Sequence, residues 1–450
     1  MAMFADNPQR PESYERFVHP TPTWFKESGL GIFIHWGAYS VPAWAEPIGA
    51  LGAVEDKEYW FAHNPYAEWY FNTIRIDGSP AALRHREIYG DAPYDDFLDA
   101  WHAEAFDPAD MVALFVRAGA RYVVPTTKHH DGITLWNAPG TGDRNTVKRG
   151  PHQDLVEALA TATRAAGLRF GVYYSSGIDW HAAPTPPIRD EEHGFAVLPQ
   201  DETYARYVNT HVVDLIDRYQ PDVLWGDIGY PEAGQPDSDF SLAHVFDHFY
   251  ATAPEGVIND RWGLTHWDFR TSEYEQGAAV ESQNGDMWQN TRGIGYSFGY
   301  NQREDENAHL TGRQAVELLV DVVSRGGNLL LNVGPDASGR IPELQRRCLE
   351  GLADWMASNA EAIHGTGPFA GGDSSESPWI RWTSDDRYAY AIVRASGPQP
   401  LAVRADEADP SSAALLSGTP LLGREVEHGV LVELPDLPRT GPHVVRFDRR

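Results

Sequence analysis

Residues 120–136 read ARYVVPTTKHHDGITLW. An apolar, β-branched and aromatic run goes straight into Lys128, His129, His130 and Asp131. A strand that is apolar on both faces is buried on both, and that pattern belongs to parallel sheets covered by helices. The abrupt polar end then places several titratable side chains where such a strand stops. Adjacent histidines at that point are candidates for metal ligands, general bases or hydrogen-bond partners of a polar substrate.

Strand-length runs of the same kind recur on either side. They are GLGIFIHWG (29–37), ARYVVPTT (120–127), LRFGVYYS (168–175), DVLWGD (222–227), GVIND (256–260), FRTSEY (269–274), GIGYSFGYN (293–301) and GNLLLNVGP (327–335). Helical patterns lie between several of them. In DPADMVALFVRAGA, Asp107 reads as the N-cap and Pro108 as the first-turn residue. QDLVEALATATRAAG ends in Gly167, a C-terminal stop. Eight strands alternating with helices predict an α/β fold, a (β/α)8-like (TIM-type) barrel over residues 1–365. The fifth and sixth units lack a full helix, so irregularity is expected there. Past Gly365 the Gly/Ser/Pro-rich GTGPFAGGDSSESP reads as a linker, and short alternating runs (WIRWT, RYAYAIVR, LAVRA, VLVEL, HVVRF) predict a small antiparallel β-sandwich over 366–450.

Composition removes several classes of function. A formal net charge of −29 repels nucleic acid and anionic membrane surfaces. Cys348 is the only cysteine, which excludes an intrachain disulfide and a thiolate cluster. MAMFADNPQRPESYERF carries prolines and acidic residues in place of the long apolar run of a signal peptide, so a cytoplasmic location is expected. Fifteen tryptophans supply flat faces that suit either a sugar ring or an aromatic core.

In such barrels chemistry sits at the C-terminal ends of the strands. Those ends deliver His35 and Trp36; Lys128 to Asp131; Tyr173 and Tyr174; Trp225, Gly226 and Asp227; Asn259 to Trp262; Glu273; and Phe298. Adjacent strand residues face opposite ways, so His129 and His130 are not expected to share an ion. No H-x-H or H-E-x-x-H pattern appears, and neither a metal nor any other cofactor is expected. Neither a serine-nucleophile elbow nor a dinucleotide-binding glycine loop is expected either. Carboxylates ringed by imidazoles and indoles suit a neutral, hydroxyl-rich sugar, whose glycosidic bond two carboxylates can cleave.

GIFIHWG, NPYAEWY, KHHDGI, FGVYYS, DVLWGD, NDRWG, HWDFRTSEY, SFGYN and GGNLLLNVGP, in this order over residues 20–365, resemble the α-L-fucosidases of glycoside hydrolase family 29. The resemblance implies a retaining exo-α-L-fucosidase acting on fucosylated oligosaccharides or glycoconjugates through a covalent glycosyl-enzyme. It implies Asp227 as nucleophile and Glu273 as acid/base, with Glu275, Glu281 and Asp286 as rivals for the second role. It also implies sugar contacts from His35, Glu68, Trp69, His129, His130 and Tyr173, the paired histidines acting as hydrogen-bond donors to ring hydroxyls, with Arg261 beside the acid/base. Phe33, Trp225 and Phe298 are candidates for the slot that takes the C6 methyl group of fucose, though core packing accounts for each equally well. Two other readings stand beside this one: a catalytically inactive fucose-binding protein, and a hydrolase of a related L-galacto-configured sugar. Loops 44–64, 179–200 and 275–292 are where the aglycone would be recognised. Linkage preference and assembly into a homo-oligomer are left open.

Overall fold

The computed structural model describes residues 10–50, 52–235, 238–274, 286–369, 373, 379–395, 399–403, 407–426, 429–437 and 441–450. Eight parallel strands form one sheet: β1 (Leu30–Ile34), β2 (Tyr122–Lys128), β3 (Arg169–Ser175), β4 (Val223–Asp227), β5 (Val257–Ile258), β6 (Phe269–Glu273), β7 (Met287–Gly293) and β8 (Gly327–Val333). Their order is β5-β4-β3-β2-β1-β8-β7-β6, and among the described residues only the bridge between Asn259 and Phe269 joins the two ends. The barrel is therefore near-closed. Its seam falls at the short fifth unit, where the sequence lacks a helix.

The seventh strand differs from expectation. It runs over Met287–Gly293, and 294–301 is the loop that follows. MWQNTRG is buried along its whole length despite being polar, because Gln289 satisfies Trp225 and Tyr122 inside the barrel. An apolar-run criterion misses such a strand, since its Gln289 is paired through tertiary contacts.

The helices between strands are fixed by their caps. Asp107 accepts from the N–H groups of Ala109 and Asp110, both at 3.0 Å, and starts helix Pro108–Arg117. Asp154, Asp201 and Ser241 cap Leu155–Ala165, Glu202–Tyr219 and Leu242–Thr252 in the same way, and Thr311 with Gln314 forms a capping box for Gly312–Ser324. The main core lies between the strands and these helices. A second cluster fills the lower barrel interior, where Phe25, Phe33, Tyr122, Tyr173, Trp225, Phe269 and Leu330 pack together.

The C-terminal region pairs a five-stranded antiparallel sheet with a three-stranded one. The first contains β9 (Gly367–Pro368), β10 (Trp379–Ser384), β11 (Tyr388–Arg394), β13 (Ala414–Leu415) and β16 (His443–Asp448); the second contains β12 (Gln399–Val403), β14 (Leu422–Val426) and β15 (Gly429–Leu434). Its own core centres on Trp382 and Phe447.

Candidate active site

All twelve expected site residues wall one pocket at the C-terminal mouth of the barrel: Phe33, His35, Glu68, Trp69, His129, His130, Tyr173, Trp225, Asp227, Arg261, Glu273 and Phe298. About 600 Å³ of empty space, mouth included, lies between them. Phe33, Tyr173 and Trp225 form the floor, because they are also the top of the barrel's apolar interior.

Asp227 is the last residue of β4 and Glu273 the last of β6. Each is followed by a non-glycine residue in the left-handed region, Ile228 at φ 66° and Tyr274 at φ 57°. That region is costly for a β-branched side chain, and such strain concentrates at functional sites. The turn after Asp227 is clamped. Its carbonyl accepts from the N–H groups of Ser176 (3.1 Å) and Gly177 (3.2 Å) and from Ser176 Oγ (2.9 Å), and Gly229 N donates to Arg261 O (2.9 Å).

Arg261 joins the two carboxylates. Its Nη1 lies 3.4 Å from Asp227 Oδ1 and 3.1 Å from Glu273 Oε2, and its Nη2 lies 3.1 Å from the same Glu273 oxygen. Tyr173 donates to Asp227 Oδ2 (2.8 Å) and Tyr66 to Glu273 Oε1 (3.3 Å). Burial pushes the Asp227 carboxyl up, against the pull of Arg261 and Tyr173. Burial acts on Glu273 as well, but there the Arg261 guanidinium wins and holds the carboxyl below its ordinary value.

The polar run from Lys128 to Asp131 divides into two roles. Lys128 is fully buried and pairs with Asp179 at 3.1 Å. Asp131 turns away, accepting from Tyr94 (2.9 Å) and from Ile133 N (3.1 Å). Gly132 has φ 77°, and a Cβ there would lie 2.2 Å from Asp179 Oδ1, so this turn requires glycine. His129 and His130, expected on opposite faces, both line the pocket with ring centroids 4.0 Å apart. They follow the last residue of β2, and the register slips between Thr126 and Lys128, so strand alternation no longer governs them.

Burial drives the three pocket histidines neutral: His35 down to about 3, His129 and His130 well down. The surrounding bonds then assign the proton of one of them. Asn332 donates Nδ2–H to Phe298 O (2.7 Å), so its Oδ1 accepts Nδ1–H from His35 (2.7 Å). Nε2 of His35 is therefore an acceptor. Ser175 Oγ lies 2.7 Å from His130 Nδ1 and 2.9 Å from Ile178 O, a carbonyl that Lys128 Nζ also reaches at 3.2 Å. His129 keeps Nδ1 buried with no partner.

Four more residues complete the wall: Trp60, Tyr66, Ile228 and Thr291. Tyr66 lies within the NPYAEWY stretch, and Trp60 lies in the loop expected to meet the aglycone. Thr291 belongs to the seventh strand, which the apolar pattern misplaces. Its Oγ1 is buried without a partner. Of the rival acids, Glu275 and Glu281 lie outside the described residues. Asp286 precedes β7 at the opposite end of the barrel, beside Arg270 (3.5 Å) and Trp267 (3.4 Å), so it is not a candidate.

GYSFG (295–299) does have the G-x-S-x-G spacing, but Ser297 sits in the loop after β7, and its hydroxyl engages Glu68, Gly299 O and Ala67 N. No strand-to-helix elbow exposes it as a nucleophile. Among the described residues one His/Asp group has metal-like spacing, His19, His266 and Asp268, at the far end of the barrel. Tyr250 already contacts His266 Nε2 (2.8 Å) and Asp268 Oδ2 (2.7 Å), and Ile258 N donates to that same oxygen (2.7 Å). His244 and His248 share a helix at i, i+4 spacing, but His248 bonds Asp217 (2.6 Å) away from the pocket.

A parallel barrel with two carboxylates around one guanidinium, on an aromatic floor and under an imidazole wall, has the make-up of a glycoside hydrolase. The family model for α-L-fucosidase matches residues 3–361. The chain is similar to the α-fucosidase of Thermotoga maritima, with 42% identity, a TM-score of 0.84, and coverage of 95% of this chain and 97% of that one. A structure of that protein with a mechanism-based inhibitor aligns with a TM-score of 0.86. The tissue α-L-fucosidase of Bos taurus is 33% identical over 83% of this chain and 75% of its own length. The chain belongs to the α-L-fucosidase family and is a glycoside hydrolase acting on fucosides.

Proposed function

We propose that the chain is a retaining exo-α-L-fucosidase working by double displacement, with Asp227 as nucleophile and Glu273 as acid/base. One observation carries the reading: a single nitrogen of Arg261 touches an oxygen of each carboxylate. Those oxygens are then separated by at most the two contacts added together, about 6.5 Å, which favours the close pair of retaining enzymes over the wider, water-spanning pair of inverting ones.

In the first step an Asp227 oxygen bonds to C1 as the glycosidic C1–O bond breaks, and Glu273 gives its proton to the departing oxygen. In the second step water bonds to C1, Glu273 takes the water's proton, and the ester bond to Asp227 breaks. Tyr173 and Arg261 stabilise the Asp227 carboxylate whenever it is free. The empty site prefers the opposite proton placement, since Arg261 favours Glu273 as the anion. The carboxyls titrate as a coupled pair through Arg261. A leaving group seated against Glu273 that turns Arg261 toward Asp227 lowers one carboxyl and lets burial raise the other. Trp225 spends its only polar atom on Gln289 (3.0 Å), so with Phe33 and Phe298 it offers carbon to the C6 methyl. A C6 hydroxyl placed against those carbons would lose its partners, which favours a fucoside over an L-galactoside.

A 2-deoxy-2-fluoro-fucoside with a good leaving group tests the reading. Peptide mass spectrometry should find the label on Asp227. A label on another carboxylate, or none with an active enzyme, sinks the assignment.

A further inference from the structure

Behind the pocket lies a second buried carboxyl that the reaction does not use. Glu304 is 9% exposed and follows the SFGYN stretch. Its Oε1 accepts the N–H of Ser297 at 2.7 Å. Its Oε2 packs on Gly295, where a Cβ would lie 2.0 Å away, and faces His309 Nε2 at 3.9 Å. His309 has its Nδ1 on Asp305 O (2.9 Å), so the nitrogen facing Glu304 is not the one spent on the backbone.

Ser297 is the link to the pocket. Its hydroxyl lies 3.1 Å from Glu68 Oε2 and accepts from Ala67 N at 2.9 Å, which fixes the turn carrying both Glu68 and Trp69. Gly299 N, two residues on, donates to the same Glu68 oxygen at 2.8 Å. Between them sits Phe298, a wall of the pocket, whose carbonyl is the anchor that orients Asn332 and through it His35. One short loop thus sets a carboxylate, an aromatic wall and an imidazole, and Glu304 holds that loop from behind.

We propose that Glu304 is a positioning residue of the fucoside site, fixing Glu68 and the Phe298 loop through Ser297. The inference rests on the fucosidase reading of the pocket. The charges support the coupling. Glu68 is pushed up to about 7 and Glu304 to about 8, in both cases chiefly by burial, and the Glu68 charge adds to the rise of Glu304. The titratable groups that face Glu304 are Glu68, His309 and Tyr274; burial keeps His309 neutral and pushes the Tyr274 phenol well up. Two carboxyls a serine apart therefore share protons near neutral pH.

The test is a double-mutant cycle on the whole enzyme with Glu304→Ala, Ser297→Ala and both changes, read as kcat and KM on an aryl fucoside, with Tm as a control. Loss of the Glu304 contact should lower kcat/KM about tenfold, a typical consequence of removing a buried bond to a carboxyl group. The double variant should lose little more than either single one, because residues in one network are not additive. Glu304→Gln, which keeps an acceptor for Ser297 N–H, should recover most of the activity at pH 5 while taking one proton out of the alkaline limb. Should Glu304→Ala not fold, Glu304→Asp, which draws the carboxylate back from Ser297 N, takes its place in the cycle. Additive losses, or a Gln variant with an unchanged pH profile, overturn the proposal. A wild-type chain inactive on every fucoside would overturn the fucosidase reading instead.

Discussion

The two ends of the barrel use the same residue types to opposite effect. At the N-terminal end, Phe25 is fully buried 4.6 Å from the Phe269 ring, and Asn328 joins Gly29 N to Phe25 O at 2.9 and 2.6 Å. Asp268 and His266 there are engaged by Tyr250 and Ile258. At the mouth, His35 and His130 spend one nitrogen on Asn332 and Ser175 and keep the other, while Arg261 is shared between carboxylates. Closed polar networks rigidify, and half-committed ones bind. What separates a histidine for folding from a histidine for chemistry is where its unspent nitrogen lies: His266 seals Nδ1 inside the protein, while His35 and His130 line the pocket.

Breaking the mouth should remove chemistry and leave the fold. Asp227→Gly should abolish turnover of aryl and natural fucosides with Tm unchanged, and azide should then give the inverted fucosyl azide. Glu273→Ala should cost natural fucosides on the order of 10²–10⁴-fold. Aryl fucosides, with a better leaving group, should lose less, the covalent intermediate should accumulate, and azide should speed turnover with net retention. Equal losses on both substrate types with no azide effect would move the acid elsewhere, to Glu275 or Glu281.

Breaking the other end should do the reverse. Phe25→Ala should cost about 3–5 kcal/mol of stability, seen in urea unfolding, because it empties a packed core position. The kcat/KM of the folded fraction should stay near wild type; a large fall would mean that the two ends are coupled.

Subtler changes sharpen the contrast. Arg261→Gln removes the cation that opposes burial at Asp227, so its carboxyl rises further. The nucleophile must be ionised, so the acid limb of kcat/KM should move to higher pH. A limb that stays put would show that Arg261 does not tune Asp227. The smallest effect is expected from Ser175→Ala, which frees the tautomer of His130. A few-fold rise in KM with kcat nearly constant should follow, and a change in Tm without a change in KM would make that bond purely structural.

The alternation of apolar runs and capped helices was enough to read the barrel, because burial on both faces and a side chain aimed at an orphan N–H are local properties written in residue order. The weak fifth unit was legible for the same reason: no helical pattern separates GVIND from FRTSEY. The seventh strand was not, since its polar residues are buried by pairing with Trp225 and Tyr122 from distant strands. The strand-end rule and the family's motifs named the residues that converge at the mouth. They did not supply Trp60, Ile228 or Thr291, which no motif marked as binding. Nor did they give the proton on His35, which depends on an asparagine 297 positions away in sequence. Sequence determines which groups can do chemistry and which element ends carry them. Only the tertiary structure decides which of their hydrogen bonds are already spent, because each partner arrives from another strand.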